Sequence, residues 1–152
     1  MRFLLAVIQF AALTAGFAGP IPNQTEEIHL TGATGPGMTL VIHVLSHTRP
    51  EKTEDYITVL AALIRPAWYA EMPESAFRGK EGKVTIRFKV LRDGTLASPG
   101  PTVESSSGRK SFVTAALDGI NHVAPLRPLP SGLKGKSLEI RATFFYNEKP
   151  EM

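Results

Sequence analysis

The chain has 152 residues, of which 43% are hydrophobic and 20% are charged, and this composition fits one globular domain with a buried core rather than a disordered chain. It contains no cysteine, which excludes a disulfide framework and a thiolate metal site. The net charge of +3 is too small to indicate nucleic-acid binding.

The first eighteen residues have the pattern of a secretory signal peptide. One basic residue, Arg2, precedes an apolar run from Phe3 to Leu13, and the small residues Gly16 and Ala18 occupy the minus-three and minus-one positions of a cleavage site. We therefore expect cleavage after Ala18 and export of the mature chain. The alternative is an uncleaved anchor, although the apolar stretch is shorter than the ~20 residues that a membrane-spanning helix needs.

Residues 19–50 are expected to form a polar tether followed by a hairpin. Two short apolar pieces, Ile28 to Leu30 and Met38 to Leu45, flank the glycine-rich sequence TGATGPG. Apolar pieces on both sides of a glycine-rich turn are typical of a loose β-hairpin. A phosphate loop is not expected there, because no Lys-Ser/Thr follows and no helix starts at that point.

The first helix is predicted from Thr53 to about Arg65. Thr53 can serve as its N-cap, and acidic residues follow in the first turn. Apolar residues then recur at spacings of three and four, as in a helix with one buried face. They are Tyr56, Ile57, Leu60, Leu63, Ile64 and Trp68. Pro66 should end or kink this helix, because proline lacks an N–H and its ring clashes with the preceding turn.

The stretch that starts at Val84 is the most regular strand of the sequence. Its apolar and polar residues alternate, so one face should be core and the other should face water. The apolar set is Val84, Ile86, Phe88 and Val90, and the polar set is Lys83, Thr85, Arg87 and Lys89. Asp93-Gly94 predicts a tight hairpin turn, after which the chain should return antiparallel through Leu96 towards Val103. Pro99 and Pro101 restrict that return strand to a sheet edge or a bulge.

A second helix and a last strand complete the predicted elements. The helix should start at Ser107 or Gly108, and the proline-rich APLRPLP should stop it. Its apolar stripe consists of Phe112, Ala115, Ala116, Ile120 and Val123. Residues 137–147 predict the last strand, in which Phe145 points away from the face that its neighbours fill. Either the hairpin or a partner should cover Phe145.

The order helix, strand, turn, strand, helix, strand indicates an α+β domain. We expect a two-layer sandwich with a three-stranded antiparallel sheet, two helices on one of its faces, and the N-terminal β-hairpin as an addition. The predicted organisation is a signal peptide over residues 1–18, a tether and hairpin extension over 19–50, and the α+β domain over 51–152.

Five short motifs in register resemble the TonB C-terminal domain family. They are Pro73, Gly82-Lys83-Val84, Asp93-Gly94, Ser107-Gly108 and Ala115-Ala116. The proline cluster APLRPLP and a final strand ending in FFYN follow in the family's order. Val113 departs from the family pattern, which usually has an aspartate there. The long membrane helix and the Pro/Lys-rich spacer of an energy transducer are not seen in this sequence, so energy transduction is left open.

The resemblance implies a periplasmic protein-binding module that is not an enzyme and uses no cofactor. It implies that the last strand pairs with an extended segment of an envelope or outer-membrane protein, in transport or energy transduction across the envelope. The implied partner-binding residues are Arg141, Ala142, Thr143, Phe144, Phe145 and Tyr146. A homodimer through the sheet edge, a TolA-like role in linking envelope proteins, and an inner-membrane tether if the signal is uncleaved remain alternatives.

The charges are unevenly distributed along the chain. Acidic residues outnumber basic ones from Gly19 to Phe77, and basic residues outnumber acidic ones from Arg78 to Met152. A basic second half favours an acidic partner or an anionic lipid surface. A solvated sheet face rich in Lys and Arg is the commoner explanation of such a distribution.

A small exported enzyme or metal-binding protein that uses His43, His47 and His122 is the alternative function. On a strand, His43 and His47 would share a face, but their Cβ atoms would lie ~13 Å apart, too far for one metal ion. A hydrolase triad would need one of the serines at 105–107 with His122 and Asp118, yet the sequence lacks the G-x-S-x-G elbow. Serines before a helix are more often caps.

The strand assignment generates a prediction for Phe88. Because Phe88 lies mid-strand on the apolar face, Phe88→Ala should lower the free energy of unfolding by ~3 to 5 kcal/mol. Denaturant melts measure this difference. A change under ~1 kcal/mol would mean that the two faces of the strand are assigned the wrong way round.

Overall fold

The computed structural model describes residues 30–35, 37–46 and 50–150. Across these ranges the chain forms β1 (Leu30–Gly35), β2 (Met38–Val44), α1 (Pro50–Ala70), α2 (Glu74–Phe77), β3 (Gly82–Leu91), β4 (Thr102–Ser107), α3 (Lys110–Val123) and β5 (Ser137–Tyr146). The predicted signal peptide and tether lie outside the described residues. None of the helices in the described ranges combines the length and hydrophobicity that a membrane-spanning segment requires.

All five strands belong to one sheet with the order β1-β2-β5-β3-β4, and every neighbouring pair is antiparallel. The α+β class and the hairpin of β1 and β2 are therefore confirmed. The hairpin is not an addition beside a three-stranded sheet, because β2 pairs with β5 from Met38, opposite Tyr146, to Val44, opposite Ile140. It shares the sheet and the core with the helical part, and the domain division at residue 50 stays a prediction.

The core lies between one face of this sheet and the helices. The alternation predicted for β3 is confirmed: Val84, Ile86, Phe88 and Val90 are buried. Phe88 is 3% exposed, whereas Lys89, the next residue, is exposed and provides a matched control for the alanine substitution. In α3, four residues of the predicted stripe are buried, namely Phe112, Ala115, Ala116 and Ile120.

Helix α1 is longer at both ends than the sequence predicts. It begins at Pro50, where a proline is tolerated because the first helical N–H has no intrahelical acceptor. Thr53 consequently lies buried within the helix instead of capping it. Pro66 does not end the helix, which continues to Ala70 because Trp68, beyond the proline, is fully buried in the core. This packing compensates for the hydrogen bond that proline removes.

The return strand and the second helix start later than predicted. Before Pro101 the return chain makes one bridge, between Leu96 and Val90, and β4 begins at Thr102. The serines at 105–107 lie in β4, where the Ser107 hydroxyl accepts a hydrogen bond from the Lys83 N–H at 3.1 Å. They therefore do not cap α3, which begins at Lys110 without a side-chain cap. The short helix α2 was not predicted.

The proline-rich segment after α3 is fastened to the β3–β4 turn. The Leu126 N–H donates to the Gly94 carbonyl at 2.8 Å, and the Leu129 N–H donates to the Arg92 carbonyl at 3.0 Å. Gly94 has a φ of +93°, and a Cβ there would lie 2.1 Å from the Leu126 oxygen. The predicted Asp93-Gly94 turn thus needs glycine both for its conformation and for this close approach.

Tyr146 joins α1, α3 and β5 through one buried chain of hydrogen bonds. Trp68 Nε1 donates to the Tyr146 hydroxyl at 2.8 Å, and that hydroxyl donates to the Phe112 carbonyl at 2.7 Å. The Phe112 and Tyr146 rings stack with their centroids 4.1 Å apart. Burial raises the pKa of Tyr146 above its usual value, so the phenol stays protonated in the folded state.

This chain of hydrogen bonds predicts a large effect of Tyr146→Phe. The substitution leaves the Trp68 N–H buried without an acceptor and removes one hydrogen bond to the Phe112 carbonyl, so it should lower the free energy of unfolding by about 1–3 kcal/mol in denaturant melts. Tyr69→Phe, at a residue 37% exposed, should have little effect. An equal effect of the two substitutions would contradict the role of the hydroxyl.

The same phenol predicts a loss of stability at alkaline pH. Its folded pKa is raised, so the stability it contributes is fully present below about pH 10, the unfolded value, and decreases above it as the unfolded phenol ionises. Tyr146→Phe should show a smaller decrease between about pH 9 and pH 11 than the native chain. A slope unchanged by the substitution would rule out this contribution.

Candidate partner-binding site

The six residues predicted to bind a partner lie on a strand with neighbours on both sides. β2 pairs with one side of β5 and β3 pairs with the other. β5 therefore has no open edge in this fold, although the resemblance implies that this strand pairs with a segment of a partner. The reason is that Met38, Leu40, Ile42 and Val44 of β2 are apolar at alternate positions, so β2 extends the inward face of the sheet and buries all four side chains.

The backbone groups of β5 alternate between its two neighbours. The Leu45 N–H donates to the Glu139 carbonyl at 2.8 Å, and the Glu139 N–H donates to Ser46 Oγ at 2.8 Å. Odd-numbered residues of β5 therefore direct their backbone groups towards β2, and even-numbered residues direct theirs towards β3. Arg141, Thr143 and Phe145 form the row of backbone groups to which β2 binds, and we call these three residues the β5 line.

The β5 line carries side chains on the sheet face opposite the helices. Arg141 lies directly opposite Arg87 of β3. Carboxylates offset the repulsion between these two cations: Arg141 donates to Glu104 at 2.9 and 2.7 Å, and Arg87 donates to Glu139 at 2.6 Å. The hydrogen bond from Arg141 holds the pKa of Glu104 below its usual value. Arg141, the first residue of the β5 line, therefore lies among side chains of alternating charge.

Phe145 ends the β5 line and is 8% exposed. It lies between Thr39 of β2 and Lys83 of β3, and Lys83 Nζ is 6.0 Å from the centre of its ring. The prediction that Phe145 is covered is confirmed, and the hairpin contributes one of its two neighbours. Phe144 and Tyr146, on either side of it in sequence, are fully buried on the helix face.

The hairpin is held against β5 by a large apolar burial. The four inward side chains of β2 are at most 2% exposed. At about 1.5–3 kcal/mol for each buried side chain, they contribute roughly 6–12 kcal/mol, which is comparable to the stability of a whole domain. Spontaneous loss of β2 therefore exposes the β5 line in only a very small fraction of molecules. Another strand can reach it by taking over the positions of these side chains.

The two open edges of the described sheet belong to β1 and β4. On β4, a bulge leaves Glu104 without an opposite residue on β3, and Val103 and Ser106 direct their backbone groups outwards. All of its side chains are exposed, and Pro101 directly precedes it. Short, bulged and polar edges disfavour pairing with another chain.

The histidines considered for an enzyme or a metal site are not brought together. His43 is on the sheet face opposite the helices, because its neighbours Ile42 and Val44 face the core. His122 is in α3, on the other side of the sheet, with Nδ1 3.6 Å from Glu71. His47 lies outside the described residues. In the described ranges, no group of three His, Asp or Glu side chains could hold a metal ion.

Two surface features were missed by the sequence analysis. A cleft of about 590 Å³ between the β3–β4 connection and the end of α3 is lined by Leu96, Pro101, Leu117 and other residues, none of them acidic or basic. The rings of Tyr69 and Phe77 meet edge to face at 5.6 Å on the surface. The one signal for the second feature was an aromatic residue, Phe77, within a polar connection.

Comparisons with known proteins relate part of this sequence to a family. Residues 73–147 match the family described as Gram-negative bacterial TonB protein C-terminal. This part of the chain is similar to the TonB C-terminal domain family. The resemblance carried by the five motifs is thus confirmed, and β1, β2 and α1 precede the matched residues. The hairpin that occupies the β5 line therefore lies outside the family match.

Two known proteins are similar to this chain. The chain is 40% identical to Protein TonB of Haemophilus influenzae over 65 residues, which are 43% of this chain and 23% of that protein. It thus spans about a quarter of the length of that relative. The solution structure of the Helicobacter pylori TonB C-terminal domain is 23% identical, with a TM-score of 0.44, and the match covers 70% of this chain and 100% of that one.

Strand order predicts how single prolines act on β5 and β4. Thr143→Pro and Ala142→Pro should both destabilise the fold, because each removes a hydrogen bond to a neighbouring strand, at about 1–3 kcal/mol or more. On β4, Ser105→Pro should destabilise, whereas Ser106→Pro, whose N–H points outwards, should be tolerated better. Denaturant melts compare the four variants. Tolerance of Thr143→Pro together with loss of fold in Ala142→Pro would indicate that β5 has an open edge after all.

Proposed function

We propose that this chain is a protein-binding module of the Gram-negative cell envelope, and that it binds an extended segment of an envelope or outer-membrane protein as an added strand of its sheet. The family match over residues 73–147 supports a role in the envelope. The observation that carries the strand-pairing mechanism is the continuous pairing of all seven residues of β2 with β5. This side of β5 accepts a complete extended strand, and main-chain hydrogen bonds would supply affinity for a partner there.

The predicted signal peptide supports a periplasmic location for this module. Cleavage after Ala18 would release the domain into the periplasm, and an uncleaved leader would tether it to the inner membrane. A module that binds outer-membrane proteins from the periplasm would act in transport or energy transduction across the envelope. In this proposal the module itself carries out no chemistry and serves as the contact between two envelope components.

The charge of the sheet face favours one kind of partner. Lys83, Arg87 and Lys89 project from β3 on the face opposite the helices, next to the β5 line. A bound segment would therefore gain from acidic residues on that face, mainly through faster association and better discrimination between partners. Binding should accordingly weaken as the ionic strength rises.

Site-specific photo-crosslinking in a Gram-negative host tests this function. A photoreactive amino acid at Arg141 or Thr143, in the exported full-length chain, should form adducts with an envelope or outer-membrane protein. The same amino acid at Thr58, exposed on α1, provides the matched control and should form none. Adducts are identified by mass spectrometry after fractionation of the membranes.

Two results would refute the proposal. Adducts with cytoplasmic proteins and with no envelope protein would exclude a role in the envelope. An identical adduct pattern from Thr58 and from the sheet positions would exclude recognition by the sheet. Crosslinks that vanish from the sheet positions after deletion of the leader would additionally support the periplasmic location.

A further inference from the structure

We infer that the β1–β2 hairpin is an internal competitor of the partner: it occupies the β5 line, and an extended segment with apolar side chains at alternate positions binds by replacing β2 there. This inference rests on the proposed function. It specifies which kind of segment is recognised and how the hairpin restrains the binding of that segment.

The side chains of β2 define what a replacing segment must contain. Its inward positions are separated by two residues and fit against β5: Met38 lies opposite Tyr146, Leu40 opposite Phe144 and Ile42 opposite Ala142. Outward positions are occupied by Thr39, Val41 and His43. The recognised pattern is therefore an apolar residue at every second position over seven residues. Residues of different volume at the inward positions would leave voids or clash.

The hairpin is fastened to the rest of the domain at both ends of β2. At one end the Asn147 N–H donates to the Gly37 carbonyl at 2.7 Å, and the Asn147 side chain donates to the Ala76 and Lys80 carbonyls at 2.8 Å. A Cβ at Gly37 would lie 2.4 Å from Asn147 Oδ1, so the two residues fit closely. At the other end Ser46 accepts the Glu139 N–H.

These fastenings make occupation of the β5 line the resting condition of the domain. A partner finds its docking row covered, and its apparent affinity is lowered by the small fraction of molecules in which the row is available. When β2 leaves, the apolar side chains that it buries are lost from the core. A segment without the alternating apolar pattern cannot replace them. The hairpin would thus act as a filter against unrelated extended peptides.

A reversible disulfide tests the inference in the full chain. Val41 and Thr143 lie opposite each other on β2 and β5, at a spacing of about 5.5 Å between Cα atoms that suits a disulfide. Because the chain contains no cysteine, Val41→Cys with Thr143→Cys forms a single crosslink that locks the hairpin. Thr85→Cys with Thr143→Cys is the matched control, since Thr85 faces Thr143 from β3 and its crosslink leaves β2 able to move.

The probe is a labelled peptide that copies residues 38–44, MTLVIHV, with lysines added for solubility. A peptide of the same composition without alternation serves as the comparison. We expect the locked chain to bind the probe at least tenfold more weakly than its reduced form. Oxidation of the control pair should leave binding unchanged, and the unalternated peptide should bind weakly to every form. Denaturant melts verify that all forms are folded.

Three outcomes would overturn the inference. Equal binding by the locked and reduced forms would mean that the peptide uses the edge of β1 or β4, and the proposed envelope function would then stand with its strand added at that edge instead of at β5. Absence of binding by the reduced form would show that β2 cannot be replaced, and the crosslinking experiment would then decide the proposed function independently. The reduced chain could instead form dimers as its concentration rises. If the peptide does not dissociate these dimers, the segment that replaces β2 belongs to a second copy of the chain.

Discussion

The pairing of β5 on both of its sides is the constraint on which the rest of the structure depends. Its even-numbered residues bind β3 through their backbone and fill the core with their side chains, and its odd-numbered residues bind β2. Tyr146, at its end, connects α1 and α3 through one hydroxyl group. Removal of either neighbouring strand would leave unpaired backbone groups on the central strand, so the stability of the domain and the availability of the β5 line are coupled.

This coupling assigns a structural role to the residues that precede the family match. The matched segment begins at Pro73, and the strand that occupies the β5 line comes from the residues before it. Without the hairpin, β5 would be an exposed edge strand, and such an edge is a site of aggregation. The hairpin removes that hazard by covering the row with a segment of the same chain. The same arrangement restricts binding to segments that can bury comparable apolar side chains in its place.

Much of the local structure could be predicted because it depends on residues close in sequence. The alternation in β3 and the stripe of α3 identify their buried faces, and the Asp93-Gly94 turn needs no distant contact to form. The errors occurred where a distant contact decided the outcome. Burial of Trp68 carries α1 past Pro66, and pairing with β3 draws the three serines into β4 instead of the cap of α3.

The sequence by itself determined which side chains face the core and where the chain turns, and the tertiary structure decided which strand lies beside which. The physical reason lies in the two kinds of interaction. Apolar side chains differ from polar ones, so their spacing records the direction in which each must point. Backbone N–H and C=O groups are alike in every residue except proline. The sequence from Arg141 to Tyr146 therefore does not indicate which strands pair with it. β2 binds them because its alternating apolar residues complete the core beneath the helices.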